Sequence, residues 1–180
     1  MLLTVWEFLK NPLYLQDENK DFAYRKKVFL KLLFATIGCT IALGIVGGIC
    51  STVFNIDLGS HKIDLSFSLY PKWQIALLAI VIAPIFEELL FRAPLYLVKN
   101  SSFFNYFFYA SFLLFGIVHI TNYENFENNI FFAVFLVLPQ ISAGIFFGYI
   151  RVRFGLLWSI ALHASFNFLL FLPFLFSFKH

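Results

Sequence analysis

The chain carries little charge: Asp, Glu, Lys and Arg make up 13% of its 180 residues. Soluble domains use roughly 25%, so a folded domain surrounded by water is excluded. Hydrophobic residues reach 61%, and the mean hydropathy is +0.82. The net charge of +3 does not suggest a nucleic-acid surface, and the 27 phenylalanines are best explained as apolar bulk. This composition predicts an all-α, polytopic membrane helix bundle.

Cysteine is also scarce, which argues against disulfide and cysteine-metal frameworks. Cys39 and Cys50 lie eleven residues apart in one apolar segment. On a helix this spacing is a rise of about 16 Å, too long for a disulfide, and no Cys spacing typical of a metal site occurs. Residues 1–27 lack the basic start, apolar core and cleavage site of a signal peptide. We interpret them as a retained segment with an amphipathic stretch at the membrane interface.

Five apolar segments are each about 20 residues long and can therefore cross a hydrocarbon core of roughly 30 Å as helices. Between the first two, residues 51–70 alternate polar and apolar side chains and are interpreted as a loop or surface hairpin. Neither repeats nor a low-complexity linker occur, so residues 1–180 are expected to form a single membrane domain. The predicted spans are Val28–Phe54, Trp73–Val98, Phe103–Ile120, Ile130–Ile150 and Leu156–Phe178.

The basic residues predict an orientation, because Lys and Arg concentrate in the short cytoplasmic loops of membrane proteins. Five of them precede the first span, Lys99 follows the second, and Arg151 and Arg153 follow the fourth. The loops on the opposite side hold Lys62, Lys72 and two glutamates. The N-terminus is therefore expected in the cytoplasm. The five that precede the first span are Lys10, Lys20, Arg25, Lys26 and Lys27.

Three charged residues, Glu87, Glu88 and Arg92, lie inside the second predicted span. A charge at membrane depth costs roughly 2.5–3.5 kcal/mol on insertion scales and suggests a function by default. Glu88 and Arg92 are four residues apart, so they share a helix face and can form an ion pair, whereas Glu87 is rotated by about 100°. We expect kinks in this helix at Pro84 and Pro94.

Two further spans carry a histidine, and one of them adds an asparagine. His119 lies in the third predicted span, and His163 and Asn167 lie four residues apart on one face of the fifth. With 1.5 Å of rise per residue, Glu87 and these three residues fall roughly 12–24 Å from the same end of their helices. We therefore expect one polar layer inside the bundle, as a buried reaction centre requires.

Each of these residues also has a structural explanation. Glu88 and Arg92 can form a clamp, and a histidine at a span end can simply be interfacial, as an asparagine can be an interhelical hydrogen-bonding residue. Because all of these residues are expected in one layer, a catalytic role is favoured over a purely structural one. A carboxylate and an imidazole that face one water can act as general bases, and Asn and His donors can stabilise an oxyanion. The sequence has no Gly-x-Ser-x-Gly motif and no pair of aspartates on two spans, so serine and aspartyl mechanisms are poorly supported.

At these positions the sequence resembles the CAAX protease and bacteriocin-processing family of intramembrane endopeptidases, which includes the Ras-converting CAAX proteases and bacterial Abi-type proteins. The resemblance covers residues 71–171, with three motifs in the family's order, each on an apolar span. The EExxxR motif reads Glu87-Glu88-Leu-Leu-Phe-Arg92, the FxxxH motif Phe115-Gly-Ile-Val-His119, and the HxxxN motif His163-Ala-Ser-Phe-Asn167.

The resemblance implies an activity and a role for each motif residue. It implies an intramembrane endopeptidase whose substrate is a peptide or small protein, lipidated or not, beside membrane lipids and without nucleic acid. The five-span form is similar to the small bacterial members, so a bacterial cytoplasmic (inner) membrane is expected. The implied roles are water activation for Glu87 and His119, oxyanion binding for His163 and Asn167, and support for Glu88 and Arg92.

Other functions remain open at this stage. A metal-dependent membrane protease could use Glu87, Glu88, His119 and His163 as zinc ligands. The sequence has no helical HExxH pair, so a mechanism without metal or other cofactor is favoured. A non-catalytic membrane scaffold or bacteriocin-immunity protein would keep the polar layer for structure. A proton-coupled transporter is disfavoured, because the spans show no matched halves.

Overall fold

The chain folds into helices, as the composition predicts. The computed structural model describes residues 1–56, 59, 61, 66, 69–124, 127 and 130–176. Within these ranges the α-helices are α1 (Leu2–Lys10), α2 (Phe22–Val53), α3 (Lys72–Leu77), α4 (Ala83–Phe91), α5 (Phe104–Val118), α6 (Ile130–Leu136), α7 (Leu138–Phe154) and α8 (Leu156–Phe176). A π-helical turn, Leu78–Ile82, joins α3 to α4, and 3₁₀ turns at Ala93–Tyr96 and His119–Asn122 follow α4 and α5. In this part of the chain, extended backbone pairs at one β-bridge, between His61 and Tyr123.

Four stretches of the described chain are long and apolar enough to cross a membrane, and each corresponds to a predicted span. The other predicted span, residues 130–150, is helical too but is divided into α6 and α7 at Val137. Pro139 lies in the first turn of α7 and has no N–H to continue the helical ladder. The prediction of an all-α membrane bundle is confirmed. The four stretches are Phe22–Val53, Lys72–Tyr96, Phe104–Asn122 and Leu156–Phe174.

Helix α7 is the centre of the bundle and packs against α2, α5 and α8. Eleven of its 17 residues are buried, more than an interfacial helix would allow. Gly144 and Gly148 form a small face towards α5: a Cβ at 144 would lie 3.0 Å from the Cβ of Phe112, and one at 148 would lie 2.8 Å from the Cε2 of Phe108. Small residues of this kind let membrane helices approach closely, and close packing is what holds such helices together.

The helix that carries the two adjacent glutamates is interrupted before Pro84. Ala83 N–H donates to the carbonyl of Leu78, five residues back, as in a π-helix. In this register the carbonyl of Ala79 would accept a hydrogen bond from the N–H of residue 84, but residue 84 is a proline and has no N–H. The Ala79 carbonyl instead accepts a hydrogen bond from Asn167 Nδ2 at 2.8 Å. The kink expected at Pro84 is thus a π turn that is tied to α8.

The first 21 residues, which we call the N-terminal strap, lie across one end of the bundle. Val5 of α1 is buried, and Tyr109 Oη donates a hydrogen bond to the carbonyl of Leu9 at 2.9 Å. Other positions of α1 leave large apolar side chains exposed, as expected of an interfacial segment. These exposed residues are Leu2, Leu3 and Trp6.

Asp17 fastens the end of the strap to α7. Its carboxylate accepts hydrogen bonds from Arg153 Nη2 at 2.7 Å and from Tyr24 Oη at 2.9 Å, and its N–H donates to the carbonyl of Arg153 at 2.9 Å. Desolvation raises the pKa of Asp17, but the hydrogen bonds from Tyr24, Asn19 N–H and Arg153 outweigh it and hold the pKa below its ordinary value. The strap is therefore held by an ionised carboxylate.

Parts of two sequence predictions lie outside the described residues. The loop or hairpin expected over residues 51–70 includes residues 57, 58, 60, 62–65, 67 and 68, and the last predicted span includes residues 177 and 178. Within the described part, α2 continues to Val53, so the first membrane segment ends close to the predicted position.

Candidate active site

Glu88 and Arg92 form a buried ion pair on α4. Both side chains are 0% exposed, and Arg92 Nη1 lies 3.5 Å from Glu88 Oε1. The guanidinium also stacks over the ring of Phe115, with Cζ 4.1 Å from the ring centroid, and its Nη2 donates to the carbonyl of Gly144 at 3.3 Å. The four-residue spacing predicted this pair. The surrounding contacts fix the position of the α4 end against α5 and α7.

Two residues of α8 complete the surroundings of Glu88. His163 Nδ1 lies 3.0 Å from Glu88 Oε1, and Ser159 Oγ lies 2.5 Å from Glu88 Oε2. Ser159 Oγ is also 2.8 Å from the carbonyl of Phe147, so two acceptors share its one proton. Since a buried carboxylate is tolerated only when it is paired and hydrogen-bonded, this environment explains how Glu88 can be buried completely.

Glu87 has a different environment. Its side chain is 28% exposed, and its Oε2 lies 3.6 Å from His163 Nε2. His163 is therefore placed between the two glutamates, with Nδ1 towards Glu88 and Nε2 towards Glu87. Its ring stacks on Phe147 with the centroids 4.3 Å apart, which fixes its plane. The predicted divergence of the two adjacent glutamates is observed.

His119 is held by its own helix end. It begins the 3₁₀ turn after α5, and its Nδ1 lies 2.7 Å from the carbonyl of Phe115. A carbonyl can only accept a hydrogen bond, so Nδ1 carries the proton and the Nε2 of a neutral ring has a free lone pair. The ring also lies against Phe115, with centroids 4.8 Å apart. The FxxxH spacing thus supplies both the carbonyl and the ring that orient His119.

One cavity of about 210 Å³ brings the predicted residues together. Glu87, His119, His163 and Asn167 line it, whereas Glu88 and Arg92 lie behind its wall. A larger, mostly apolar groove of about 650 Å³ adjoins this cavity. The residues shared by the two spaces are His61 and Asn122.

The sequence interpretation missed several residues at this site. Ser159 precedes His163 by one turn of α8, so its helical spacing could have identified it. His61 had no such signal, because it lies in the region between α2 and α3 and reaches the cavity only through the fold. Two polar residues of the cavity wall, Thr40 and Gln140, come from α2 and α7.

The donor geometry bears on the zinc alternative. Among the residues that the structure describes, no group of three or more His, Cys, Asp or Glu side chains is arranged to hold a metal ion. His119 and His163 each use Nδ1 within the protein, on the carbonyl of Phe115 and on Glu88. These contacts leave Nε2 of both histidines available, as in histidines that bind a metal, whereas Glu88, another residue of that alternative, is already occupied by Arg92, Ser159 and His163.

Comparison with known proteins identifies a relative and a family. The chain is 29% identical over 168 residues to the UPF0177 protein YbdI of Lactococcus lactis subsp. lactis (strain IL1403), and this similarity covers 86% of the chain and 84% of that protein. No solved structure matches the chain. Residues 69–169, more than half of the chain, match the family described as Rce1-like, type II CAAX prenyl endopeptidase. All three motifs lie inside this match, and the chain belongs to the Rce1-like family of membrane CAAX endopeptidases.

Proposed function

We propose that the chain is an intramembrane endopeptidase that hydrolyses a peptide bond with a water activated by Glu87 and His119. The observation that carries this proposal is the contrast between the two adjacent glutamates. Glu88 is buried among charged and polar partners, whereas Glu87 lines a cavity together with three histidines, His61, His119 and His163. The buried environment of Glu88 is what a structural ion pair requires. The exposure of Glu87 to the cavity is suited to a general base that must contact substrate.

The proposed reaction needs one proton acceptor that later becomes a donor. The Glu87 carboxylate takes a proton from the water as its oxygen bonds to the carbonyl carbon of the scissile peptide. The tetrahedral intermediate then collapses with cleavage of the C–N bond, and Glu87 returns the proton to the leaving nitrogen. The products are a carboxylic acid and an amine, so the atoms of one water are consumed and nothing else is required.

His119 is suited to orient the attacking water. Because its Nδ1–H is directed to the carbonyl of Phe115, the lone pair on Nε2 can accept a hydrogen bond from the water while Glu87 removes the other proton. General-base catalysis by a positioned group of this kind contributes typically about 10²–10⁴-fold.

His163 and Asn167 are the proposed oxyanion donors. Asn167 donates one of its two amide protons to the carbonyl of Ala79, so the second can donate to the substrate. His163 directs Nδ1 to Glu88, so its Nε2 can donate to an oxyanion only when the ring carries both protons. Glu88, paired with Arg92, would then serve as the counter-charge of that imidazolium.

The proposed substrate is a peptide or small protein whose apolar part, lipidated or not, occupies the groove beside the cavity. The groove adjoins the cavity at His61 and Asn122, which line both, and is lined largely by apolar side chains of α3 and the π turn. Membrane lipids surround the bundle. The proposed location is the cytoplasmic membrane of a bacterium, with the N-terminus in the cytoplasm, as the distribution of Lys and Arg favours.

The test is cleavage of reporter peptides, prenylated and plain, by the purified protein in liposomes. We expect Glu87→Gln and His119→Ala to lower cleavage by about a hundredfold or more while the proteins stay folded. Glu7→Gln is the matched control, because Glu7 is an exposed carboxylate of the strap that pairs with Lys10 at 2.7 Å. It should leave cleavage unchanged.

A chelator separates the mechanisms. Activity that survives chelation supports a metal-free mechanism, and activity that chelation abolishes and zinc restores supports the metalloprotease alternative. Two results together would favour the scaffold or immunity role. The folded wild type would cleave no peptide, and the Glu87→Gln variant would function in the cell as well as the wild type.

A further inference from the structure

The helix that carries the glutamates ends in an unusual way. After Arg92 the chain turns into a 3₁₀ segment at Pro94, where Leu95 N–H donates to the carbonyl of Arg92 at 3.3 Å. The last carbonyls of α4 therefore lose their ordinary helical partners and need others. The kink expected at Pro94 takes this form. The 3₁₀ segment begins directly after Arg92, which lies about one turn beyond Glu88.

Side chains from two other helices serve these carbonyls. Ser111 Oγ of α5 donates to the carbonyl of Phe91 at 2.8 Å, and Arg151 Nε of α7 donates to the carbonyl of Arg92 at 3.1 Å. A cation at a helix C-terminus also interacts favourably with the helix dipole. Arg151 is therefore a charged cap on the end of the helix that carries Glu87 and Glu88.

The two arginines that follow one another on α7 have different partners. Arg153 pairs with the carboxylate of Asp17. Arg151 is 5% exposed, and within the described part of the chain no carboxylate lies at ion-pair distance from it. Its Nη1 donates instead to Tyr14 Oη at 3.1 Å, in the strap. Burying a cation without a counter-ion costs free energy. The carbonyl of Arg92 at the C-terminal end of α4, which accepts a hydrogen bond from Arg151, offsets part of this cost.

We propose that Arg151 is a positioning residue of this site: it fixes the C-terminal end of α4, and with it Glu87 and Glu88, and Tyr14 of the strap fixes Arg151. Its catalytic consequence rests on the proposed peptidase function. The strap lies outside residues 69–169, which match the family. The proposal therefore makes a segment outside the family match a part of the catalytic unit.

The matched comparison is Arg151→Gln against Arg153→Gln. Both remove a cation of α7 that contacts the strap, but only the first removes the bond to Arg92. We expect Arg151→Gln to lower kcat on the reporter peptide by about tenfold to a hundredfold, the effect of a small displacement of a catalytic group, with KM changed by less than about twofold. Arg153→Gln should leave kcat within about threefold, and Arg151→Lys should restore part of the loss, because its amine can still reach the carbonyl.

A second readout does not depend on activity. Hydrogen exchange of the peptide that covers residues 83–96 reports whether the end of α4 is held. We expect faster exchange in this peptide for Arg151→Gln than for Arg153→Gln. Tyr14→Phe, which keeps the ring contacts to Tyr96 and Phe104, should give a smaller increase of the same kind.

The two readouts distinguish the possible failures. If the wild type cleaves no peptide but Arg151→Gln still loosens residues 83–96 selectively, the peptidase proposal fails and the positioning role stands. Equal exchange and equal kcat in the two glutamine variants would overturn the positioning role, and so would a loss confined to KM. Should Arg151→Gln not fold, Tyr14→Phe and Arg151→Lys decide the question by the same comparison with Arg153→Gln.

Discussion

At the scale of single residues, Glu87 and Glu88 illustrate how one peptide bond can separate two kinds of carboxylate. The helical rotation of about 100° between neighbours directs Glu88 to Arg92, Ser159 and His163, and leaves Glu87 at the cavity. The first has a partner for each oxygen and the second does not need one, since it is 28% exposed. Stability and reactivity are therefore assigned to different members of the pair.

Replacement of Glu88 should accordingly affect folding rather than chemistry alone. Glu88→Gln leaves the Arg92 guanidinium buried without its counter-charge, and removing one partner of a buried ion pair typically costs about 3–5 kcal/mol. Glu87→Gln, which leaves no buried charge uncompensated in this way, should cost less than about 1 kcal/mol. Denaturant unfolding of both variants in the same detergent measures the difference. Equal losses of stability would contradict the division of roles.

The motif residues were predictable because helical spacing is a local property. A separation of four residues places Glu88 beside Arg92 and His163 beside Asn167 wherever the helices lie. The pairing of Glu88 with His163 joins residues 75 apart in sequence, so it depends on how α4 and α8 pack. Spacing alone could not have shown that Asn167 also binds the carbonyl of Ala79.

At the scale of helices, the positions of the membrane segments followed from apolar length, whereas their interruptions did not. Val137 divides one predicted span, and the π turn before Pro84 changes the hydrogen-bond register of another. A proline shows that a helix must adjust, but which carbonyl is released, and what replaces its partner, is decided by the neighbouring helix. Here that neighbour is α8, through Asn167.

The link between the π turn and α8 can be tested with a double-mutant cycle. Asn167→Ala in the wild-type background removes the hydrogen bond to the part-buried carbonyl of Ala79, at a cost of about 0.5–1.5 kcal/mol. Pro84→Ala restores the missing N–H and allows the α-helical register, in which Ala83 N–H serves Ala79. The same Asn167→Ala change should then cost less. Additive free energies of unfolding would contradict the proposed link.

Close packing of α5 on α7 leads to a second prediction at this scale. A Cβ on Gly116 would lie 2.1 Å from Ile141 Cγ1 and 3.1 Å from the Ile141 backbone nitrogen, so the two helices must separate. We expect Gly116→Ala to destabilise the fold by about 1–3 kcal/mol. Gly38 on α2 has no atom within 4 Å of its Cβ position, and Gly38→Ala should stabilise the helix slightly. Thermal unfolding of both variants provides the comparison.

At the scale of the whole molecule, the strap closes the bundle through contacts that no local pattern could reveal. Asp17 meets Arg153 across 136 residues, and Tyr14 meets Arg151 across 137. The sequence predicted an interfacial N-terminal segment, and its amphipathic face was enough for that. It gave no reason to connect the segment with α7, because both arginines had been explained by the orientation of the protein in the membrane. In the structure they are also the residues that fasten the strap.

The Asp17 contact makes this closure sensitive to acid. Because the pKa of Asp17 in the folded protein lies below that of the unfolded chain, its stabilising contribution is present above the unfolded pKa and is lost as the pH falls through the folded one. Asp17→Asn should therefore lower the Tm at pH 7 by about 2–4 °C, as expected for a partly exposed ion pair. The difference in Tm between the variant and the wild type should shrink in acid, as the pH falls below the ordinary aspartate pKa of about 3.9.

Asp21→Asn is the control for that experiment. Asp21 lies in the same strap and caps α2 by accepting a hydrogen bond from Tyr24 N–H at 2.7 Å, a role that asparagine fills equally well. Its substitution should leave the Tm nearly unchanged at both pH values. If the lower Tm of Asp17→Asn persisted in acid, the packing of the side chain, rather than its charge, would fasten the strap. A difference that disappears would show that one ionised carboxylate joins the N-terminal strap to α7, the helix against which α5 and α8 pack.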